Sequence, residues 1–197
     1  MSVFLPPWYD LTANMNIRSY RGTTPAIHNT AYIDALAVVI GDVTVGEDSS
    51  LWPMVVARGD VNSITIGHHT NIQDGSVLHV THDFPLVPGG VALVIGNYVT
   101  VGHKAILHAC TIGDYCLIGM GAIVMDNAQL PGRLVIGAGA LVAPGKQLES
   151  GFLYVGNPVR KARALQDGEL DLIEHSALHY VELKNDYVSR STLKQER

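Results

Sequence analysis

An apolar side chain recurs at every sixth position from Ile27 to Val142, with two longer interruptions and one step shortened to five residues between Leu107 and Ile112. The pattern pauses after Ala57 and again after Leu78, and each time it resumes with the same six-residue spacing. The recurring positions are Ile27, Ile33, Val39, Val45, Leu51, Ala57, Ile66, Ile72, Leu78, Ile95, Val101, Leu107, Ile112, Ile118, Val124, Leu130, Ile136 and Val142. A short fixed period sustained over this length is typical of a repeat protein, and hexapeptides are typical of a parallel β-helix.

These hexads predict an all-β fold, a parallel β-helix in which three hexads form one triangular coil. The pattern predicts about six coils, stacked at the ~4.8 Å spacing of neighbouring strands, with the recurring apolar residue pointing inward. Glycine often follows that residue, as at Gly67 and Gly96, and is expected to ease the corners. A β-sandwich of unrelated strands has no reason to keep a six-residue register. We expect a left-handed coil, as in other triangular hexapeptide solenoids.

The pattern also divides the chain into segments. Pro144 and Gly145 follow the last repeat, and beyond them Asp167 is expected to cap an amphipathic helix with apolar residues at helical spacing. The predicted segments are an irregular lead-in (1–24), the β-helix (25–147) with a surface loop (83–94), a basic turn (148–166), a C-terminal α-helix (167–188) and a polar tail (189–197).

Composition restricts the partners. The 197 residues include 13 Lys and Arg and 18 Asp and Glu, which gives a net charge of -5. This charge does not favour binding to nucleic acid. No apolar run reaches the roughly 18 residues of a membrane span, so no membrane association is expected. Two cysteines are too few for a disulfide framework, and no signal-peptide pattern opens the chain. These features predict a cytoplasmic protein.

Two histidines are expected to lie one above the other on the solenoid. The hexads that begin at Ala57, Leu78 and Leu107 fall on the same face of successive coils, counted as the third face from Ile27. Their second places hold Arg58, His79 and His108. These three side chains should therefore line one edge, one rung apart. Imidazoles on adjacent rungs can converge on one Zn²⁺, because each Zn–N bond is about 2.0–2.1 Å long.

A third histidine falls on a different face. His103 is the third residue of a second-face hexad, and Asp74 has the same place one coil earlier. His103 therefore lies around a corner from His79 and His108 and could join them only from another copy of the chain. A ring of three chains with identical interfaces would complete such a site three times. The sequence thus predicts a metal site at the subunit interface of a homotrimer.

Three segments around these residues resemble the γ-class carbonic anhydrases and their bacterial relatives. The segments are ARGDV (57–61), NIQDGSVLHVTH (71–82) and VGHKAILHACTIGDYCLIGMGAIVMD (101–126). The resemblance implies that Zn²⁺, or Fe²⁺ or Co²⁺ in its place, is bound by His79 and His108 of one subunit and His103 of the next. It implies that Arg58, Asp60 and Asp74 organise the interface of a homotrimer and that Gln73 orients a metal-bound hydroxide. That hydroxide would convert carbon dioxide reversibly to bicarbonate.

The chain departs from the best-known archaeal members of that family in its acidic residues. Val61 replaces the glutamate that follows their Arg-Gly-Asp triplet, and the short loop after His82 carries only Asp83. The export of protons from the site is therefore expected to differ.

Two alternatives remain open from the sequence. The segment YVGNPVRKAR (154–163) resembles the basic turn of hexapeptide-repeat acyltransferases, which use acyl-coenzyme A on the same solenoid. Those enzymes generally rely on one histidine as a base, which the three converging histidines predicted here do not match. The other alternative is a catalytically weak metal-binding trimer, because a fold by itself does not determine a function.

Overall fold

The computed structural model describes residues 16–195 of the chain. Within that range the elements are β1 Ile17–Arg18, β2 Ala26–Ile27, β3 Tyr32–Ile33, β4 Val38–Val45, β5 Ser50–Leu51, β6 Val56–Ile66, β7 Asn71–Ile72, β8 Val77–His79, β9 Leu93–Ile95, β10 Thr100–Val101, β11 Ile106–His108, β12 Thr111–Ile112, β13 Cys116–Ile118, β14 Ile123–Val124, β15 Gln129–Leu130, β16 Leu134–Ile136, β17 Leu141–Val142, β18 Phe152–Val155, β19 Arg160–Ala164 and α1 Glu169–Gln195.

The strands stack into a parallel solenoid with three faces. The first face contains β2, the second halves of β4 and β6, and then β9, β12 and β15. The second face contains β3, β5, β7, β10, β13, β16 and β18. The third face contains β1, the first halves of β4 and β6, and then β8, β11, β14 and β17. The predicted all-β solenoid with a C-terminal helix is confirmed.

The core of the solenoid is formed by the recurring apolar residues. Sixteen of the eighteen are at most 1% exposed, and the other two, Ile27 and Ile33, are partly buried at the N-terminal end. Equivalent residues of successive coils pair in register, as Leu78 does with Leu107. The six-residue period therefore identifies the side chains that point into the core, because alternate side chains of a strand point to opposite sides.

The stack is longer than the six predicted coils. On the third face Ile17 pairs with Val39 before the first predicted coil, and the Val159 amide donates to the Leu141 carbonyl after the last. The rungs of that face are Ile17, Val39, Ala57, Leu78, Leu107, Val124, Val142 and Val159, eight in all within residues 16–195. The segment 148–166, expected to be a basic turn, contains β18, which adds a parallel rung, and β19, which pairs antiparallel with β18.

The corners do not use glycine as the sequence suggested. At most corners the residue three places after an inward apolar side chain has a positive φ, and it is often not glycine, as at His69 (53°) and Tyr98 (54°). Glycine directly after the inward residue serves a different purpose. A Cβ on Gly67 would lie 2.6 Å from the Gly96 carbonyl oxygen of the next coil, so only glycine allows the two backbones to approach.

Both interruptions of the repeat lie beside the histidine column. The extra residues after Asp60 are part of the continuous strand β6, and the pairing of β4 with β6 shifts register at that point. The loop predicted at 83–94 ends where β9 begins, at Leu93, and it is closed by a bridge between Thr81 and Val91.

Helix α1 packs along the second face. Ile173 and Ala177 are at most 1% exposed, and Tyr180 meets Trp52 edge to face with ring centroids 5.5 Å apart. The helix continues beyond the predicted end at residue 188 to Gln195. Of the lead-in predicted for 1–24, residues 1–15 lie outside the described range. No helix among the described residues is long and apolar enough to cross a membrane.

Candidate metal centre

His79 and His108 face each other on adjacent rungs of the third face. They are register partners in β8 and β11, and His79 Nδ1 lies 3.1 Å from His108 Nε2. Two Zn–N bonds at a tetrahedral angle would place their nitrogens about 3.3 Å apart. The observed separation therefore fits two neutral imidazoles that share one ion, and imidazole is a donor that Zn²⁺ prefers.

A carboxylate and a guanidinium stand behind His79. Asp60 Oδ1 lies 3.2 Å from His79 Nε2, and Asp60 Oδ2 lies 2.5 Å from Arg58 Nη1. Burial alone would raise the pKa of Asp60, but the hydrogen bonds from Arg58 and His79 lower it below its usual value. Burial lowers the pKa of His79, and the nearby Arg58 and His108 add to that effect against the opposing Asp60. At neutral pH His79 is therefore a neutral imidazole with a lone pair available to a metal.

His108 has a second carboxylate behind it that the sequence analysis missed. Asp126 Oδ2 lies 3.0 Å from His108 Nδ1, and the hydroxyl of Thr81 donates to the other carboxylate oxygen. Burial would raise the pKa of Asp126, but the bond from Thr81 and the charge of His108 lower it. Asp126 stands in the third place of its hexad, one place beyond the column of second places. A search for acidic residues beside the column on the next rung could have found it.

His103 and Asp74 form a separate pair on the second face. His103 Nδ1 lies 3.0 Å from Asp74 Oδ2, and the two side chains are 45% and 49% exposed. Within residues 16–195, no group of three or more His, Cys, Asp or Glu side chains in one chain is arranged to hold a metal ion. The structure thus brings together Arg58, Asp60, His79 and His108, and it keeps His103 with Asp74 apart from them.

Gln73 occupies a third position, on the second face, where a row of polar side chains connects it to helix α1. Its Nε2 donates to Asn71 Oδ1 at 3.1 Å, and Asn71 Nδ2 donates to Thr100 Oγ1 at 2.9 Å. The Thr100 hydroxyl then donates to Ser176 Oγ of the helix at 3.2 Å. Gln73 is 6% exposed. This row of hydrogen bonds fixes the Gln73 carboxamide with its nitrogen toward Asn71 and its oxygen on the opposite side.

An open cleft of about 500 Å³ adjoins the His103–Asp74 pair. Asp74 and Lys104 supply its polar groups, and its other lining is largely apolar. Met54, Val77 and Ile106 in this lining are 70%, 38% and 40% exposed. An exposed apolar surface of this kind, rimmed by polar residues, is typical of a protein–protein contact.

Known proteins resemble this chain over nearly its whole length, although no family model matches it. Protein YrdA of Escherichia coli strain K12 is 49% identical over 179 residues, which cover 91% of this chain and 97% of that protein. The carbonic anhydrase of Geobacillus kaustophilus is 39% identical over 181 residues, covering 92% and 94%. Gamma carbonic anhydrase 1, mitochondrial, of Arabidopsis thaliana is 40% identical over 168 residues, covering 85% and 60%.

A solved structure gives the same result for the fold. The hexapeptide transferase family protein from Anaplasma phagocytophilum superposes with a TM-score of 0.80 at 39% identity, covering 87% of this chain and 97% of that one. The three-faced solenoid and its similarity to this solved structure together define a hexapeptide-repeat protein. Within that class, the chain belongs to the family that contains the γ-carbonic anhydrases, as the three segments around its histidines predicted.

Proposed function

We propose that this protein is a metal-dependent, γ-carbonic anhydrase-like enzyme that interconverts carbon dioxide and bicarbonate at the subunit interfaces of a homotrimer. The observation that carries the proposal is the histidine pair. His79 and His108 present nitrogens to each other at 3.1 Å, and the other nitrogen of each ring is bonded to a carboxylate. Ligating histidines in metalloproteins are typically oriented in this way.

The ligands proposed for Zn²⁺ are His79 and His108 of one subunit and His103 of the partner subunit. Zinc with three imidazole ligands and an open fourth position supplies a water whose pKa is about 7, and hence a nucleophile for carbon dioxide at neutral pH. Fe²⁺ or Co²⁺ would suit the same nitrogen donors. His103 has the corresponding arrangement in its own chain, with Asp74 on Nδ1 and Nε2 left for a metal.

The surrounding side chains hold these ligands and the substrate. Asp60 and Asp74 each accept a hydrogen bond from one imidazole and so fix which nitrogen carries the lone pair. The carboxamide oxygen of Gln73 is left to accept a hydrogen bond from the reacting group, because its nitrogen is engaged by Asn71. Gln73 is thereby proposed to orient the nucleophile, as the family resemblance implies.

The interface is proposed to form around the same residues. Arg58 is 42% exposed in the isolated chain although its partner Asp60 is 17% exposed, so the guanidinium is accessible to a second subunit. The apolar cleft beside Asp74 would be covered in the same contact. A cyclic trimer with equivalent interfaces places each His103 against one His79–His108 pair.

The activity is tested by stopped-flow hydration of carbon dioxide with zinc-loaded protein. We expect a rate that rises with imidazole buffer concentration at fixed pH, because Val61 is exposed where the best-known archaeal members of the family carry a glutamate that exports protons. Val61→Glu should raise the rate measured at low buffer. His79→Ala is the control for loss of the site. A wild-type rate equal to that of His79→Ala at every pH and buffer concentration refutes the proposal.

A second candidate function, acyl transfer from acyl-coenzyme A, is favoured by the structural neighbour named as a hexapeptide transferase family protein. The basic segment 154–163 is the part expected to bind coenzyme A phosphates. In this structure Lys161 lies 2.6 Å from Glu149 and Arg163 lies 2.7 Å from Glu169. These pairs neutralise two of its cations and so weaken the phosphate site. Saturable binding of coenzyme A, abolished by Arg160→Ala, would favour this second candidate over the hydratase.

A further inference from the structure

A row of three hydrogen-bonded side chains, Thr81, Asp126 and His108, leads from the loop to the pair of histidines. The Thr81 hydroxyl donates to Asp126 Oδ1, and Asp126 Oδ2 lies 3.0 Å from His108 Nδ1. Both carboxylate oxygens are therefore engaged by residues of the two preceding coils, and these bonds fix the Asp126 side chain. Its exposure is 29%, and that of His108 is 31%. Asp126 faces the side of the ring opposite to the nitrogen that points at His79.

An imidazole that donates Nδ1–H to a carboxylate must keep its lone pair on Nε2. In His108 that nitrogen is the one directed at His79, 3.1 Å away. The carboxylate also makes the ring a stronger electron donor and holds its plane. Asp126 therefore determines both the tautomer and the direction of the ring that would ligate the metal.

We propose that Asp126 is a positioning residue for the metal, and that Thr81 is the residue that holds Asp126 in place. The inference rests on the proposed metal-dependent function and deepens it, because it assigns two residues outside the three histidines to the affinity of the site. Asp126 acts through His108 and does not touch the metal.

The Thr81 hydroxyl can be removed without loosening the backbone around it. The Thr81 amide donates to the Val91 carbonyl at 3.0 Å, and the Val91 amide donates to the Thr81 carbonyl at 2.9 Å. Asn62 Nδ2 also donates to that carbonyl, at 3.2 Å. These main-chain bonds do not involve the side chain. Thr81→Val thus deletes the bond to Asp126 with almost no change in shape, and Thr81→Ser retains it.

Another solenoid carboxylate provides a matched control. Asp114 accepts the Asn97 amide of the preceding coil at 2.7 Å, and so links its coil to an earlier one, as Asp126 also does. It has no imidazole partner among the bonds described for residues 16–195. If Asp126 were only a link between coils, Asp114→Asn and Asp126→Asn should affect the protein in the same way.

The experiment is a Zn²⁺ titration of the full-length protein in competition with a chromophoric chelator, together with the visible spectrum of the Co²⁺ form. Asp126→Asn should weaken Zn²⁺ binding by about 10–100-fold and change the Co²⁺ bands. Thr81→Val should weaken binding in the same direction by a smaller factor, while Thr81→Ser and Asp114→Asn should match the wild type.

The same titration distinguishes failure of the proposed metal-dependent function from failure of the role assigned to Asp126. A wild-type protein that binds no Zn²⁺ refutes the proposed function and the inference with it. A wild-type protein that binds Zn²⁺ tightly, with unchanged affinity in both Asp126→Asn and Thr81→Val, refutes the inference alone. Equal weakening by Asp114→Asn would also overturn it, because the effect would then belong to solenoid packing.

Discussion

The ion pair between helix α1 and the solenoid predicts an asymmetry between its two partners. Lys184 Nζ lies 2.8 Å from Asp48 Oδ1, and the side chains are 3% and 26% exposed, respectively. Lys184 also donates to Asn185 Oδ1 at 2.7 Å. Asp48→Asn therefore leaves a buried ammonium with neutral partners only. Lys184→Met instead removes the buried charge and leaves a carboxylate that water reaches.

The magnitudes follow from this difference in burial. Removing one partner of a buried ion pair destabilises a protein by about 3–5 kcal/mol, and the bond to Asn185 places Asp48→Asn near the lower value, about 3 kcal/mol. Replacing the buried charge by an apolar group is often nearly neutral, so Lys184→Met should cost about 1 kcal/mol or less. For a chain of this size the expected decreases in Tm are about 6–12 °C for Asp48→Asn and less than about 4 °C for Lys184→Met.

The effect of Asp48→Asn should depend on pH in a defined direction. Burial raises the pKa of Asp48, but its hydrogen bond to Lys184 and the charge of that ammonium lower it below the usual value. A carboxyl whose pKa is lower in the folded state stabilises the protein above the unfolded-state pKa, and this stability is lost as pH falls through the folded-state pKa. The difference in Tm from the wild type should be complete at pH 7 and should shrink below about pH 4.

Thermal unfolding followed by circular dichroism, with hydrogen exchange of helix α1 as a local readout, measures these changes at fixed protein concentration. Asp48→Asn should accelerate exchange in the helix more than Lys184→Met does. Equal decreases in Tm for the two variants would refute the assignment of Lys184 as the buried partner. A difference in Tm that persists unchanged to pH 3 would refute the ionic origin.

Three further predictions concern other parts of the molecule. Burial raises the thiol pKa of Cys110 and of Cys116 to about 12, so neither should react with a thiol reagent at pH 8 until the protein is unfolded; rapid labelling of native protein would contradict this. Arg58→Ala should weaken trimer association more than His108→Ala does, and equal association in sedimentation equilibrium would remove Arg58 from the interface. Ser176→Ala should lower the unfolding free energy in urea by about 0.5–1.5 kcal/mol, with recovery in Ser176→Thr; an unchanged midpoint would show that the bond to helix α1 contributes nothing.

The period of the repeat was enough to predict most of the fold, because each inward residue is a core residue. Leu107 and Leu78 pair as the count of hexads required. The C-terminal end was misjudged because Pro144 and Gly145 look like a stop. Gly145 instead has a φ of 67°, the corner conformation found throughout the solenoid, and Tyr154 continues the core one turn further.

The pairing of His79 with His108 could also be predicted, since residues at equivalent places in successive coils must be neighbours. The carboxylate of Asp126 could not be predicted in the same way. Its side chain reaches His108 from the third place of its hexad, and the direction of a side chain across a corner is not fixed by the register. Similarly, the sequence gives no sign that Gln73 is linked through Asn71 and Thr100 to helix α1, because nothing in the period says which face the helix packs against.

The central claim is that the metal site is divided between chains, with His79 and His108 on one subunit and His103 on the next. His79→Ala and His103→Ala proteins, each expected to bind almost no metal alone, can be unfolded, mixed in equal amounts and refolded together. An interface then recovers all three ligands when a His103→Ala chain supplies the pair and a His79→Ala chain supplies the third histidine.

Zinc per chain in that mixture, measured by elemental analysis after removal of loose metal, is the most direct test. Random assortment in a cyclic trimer restores about a quarter of the sites. A mixture of His79→Ala with His108→Ala should restore none, because both lost ligands lie on the same side of the interface. Recovery of about a quarter in the first mixture and none in the second is the predicted result. Wild-type protein that holds zinc, combined with no recovery in either mixture, would contradict the shared site.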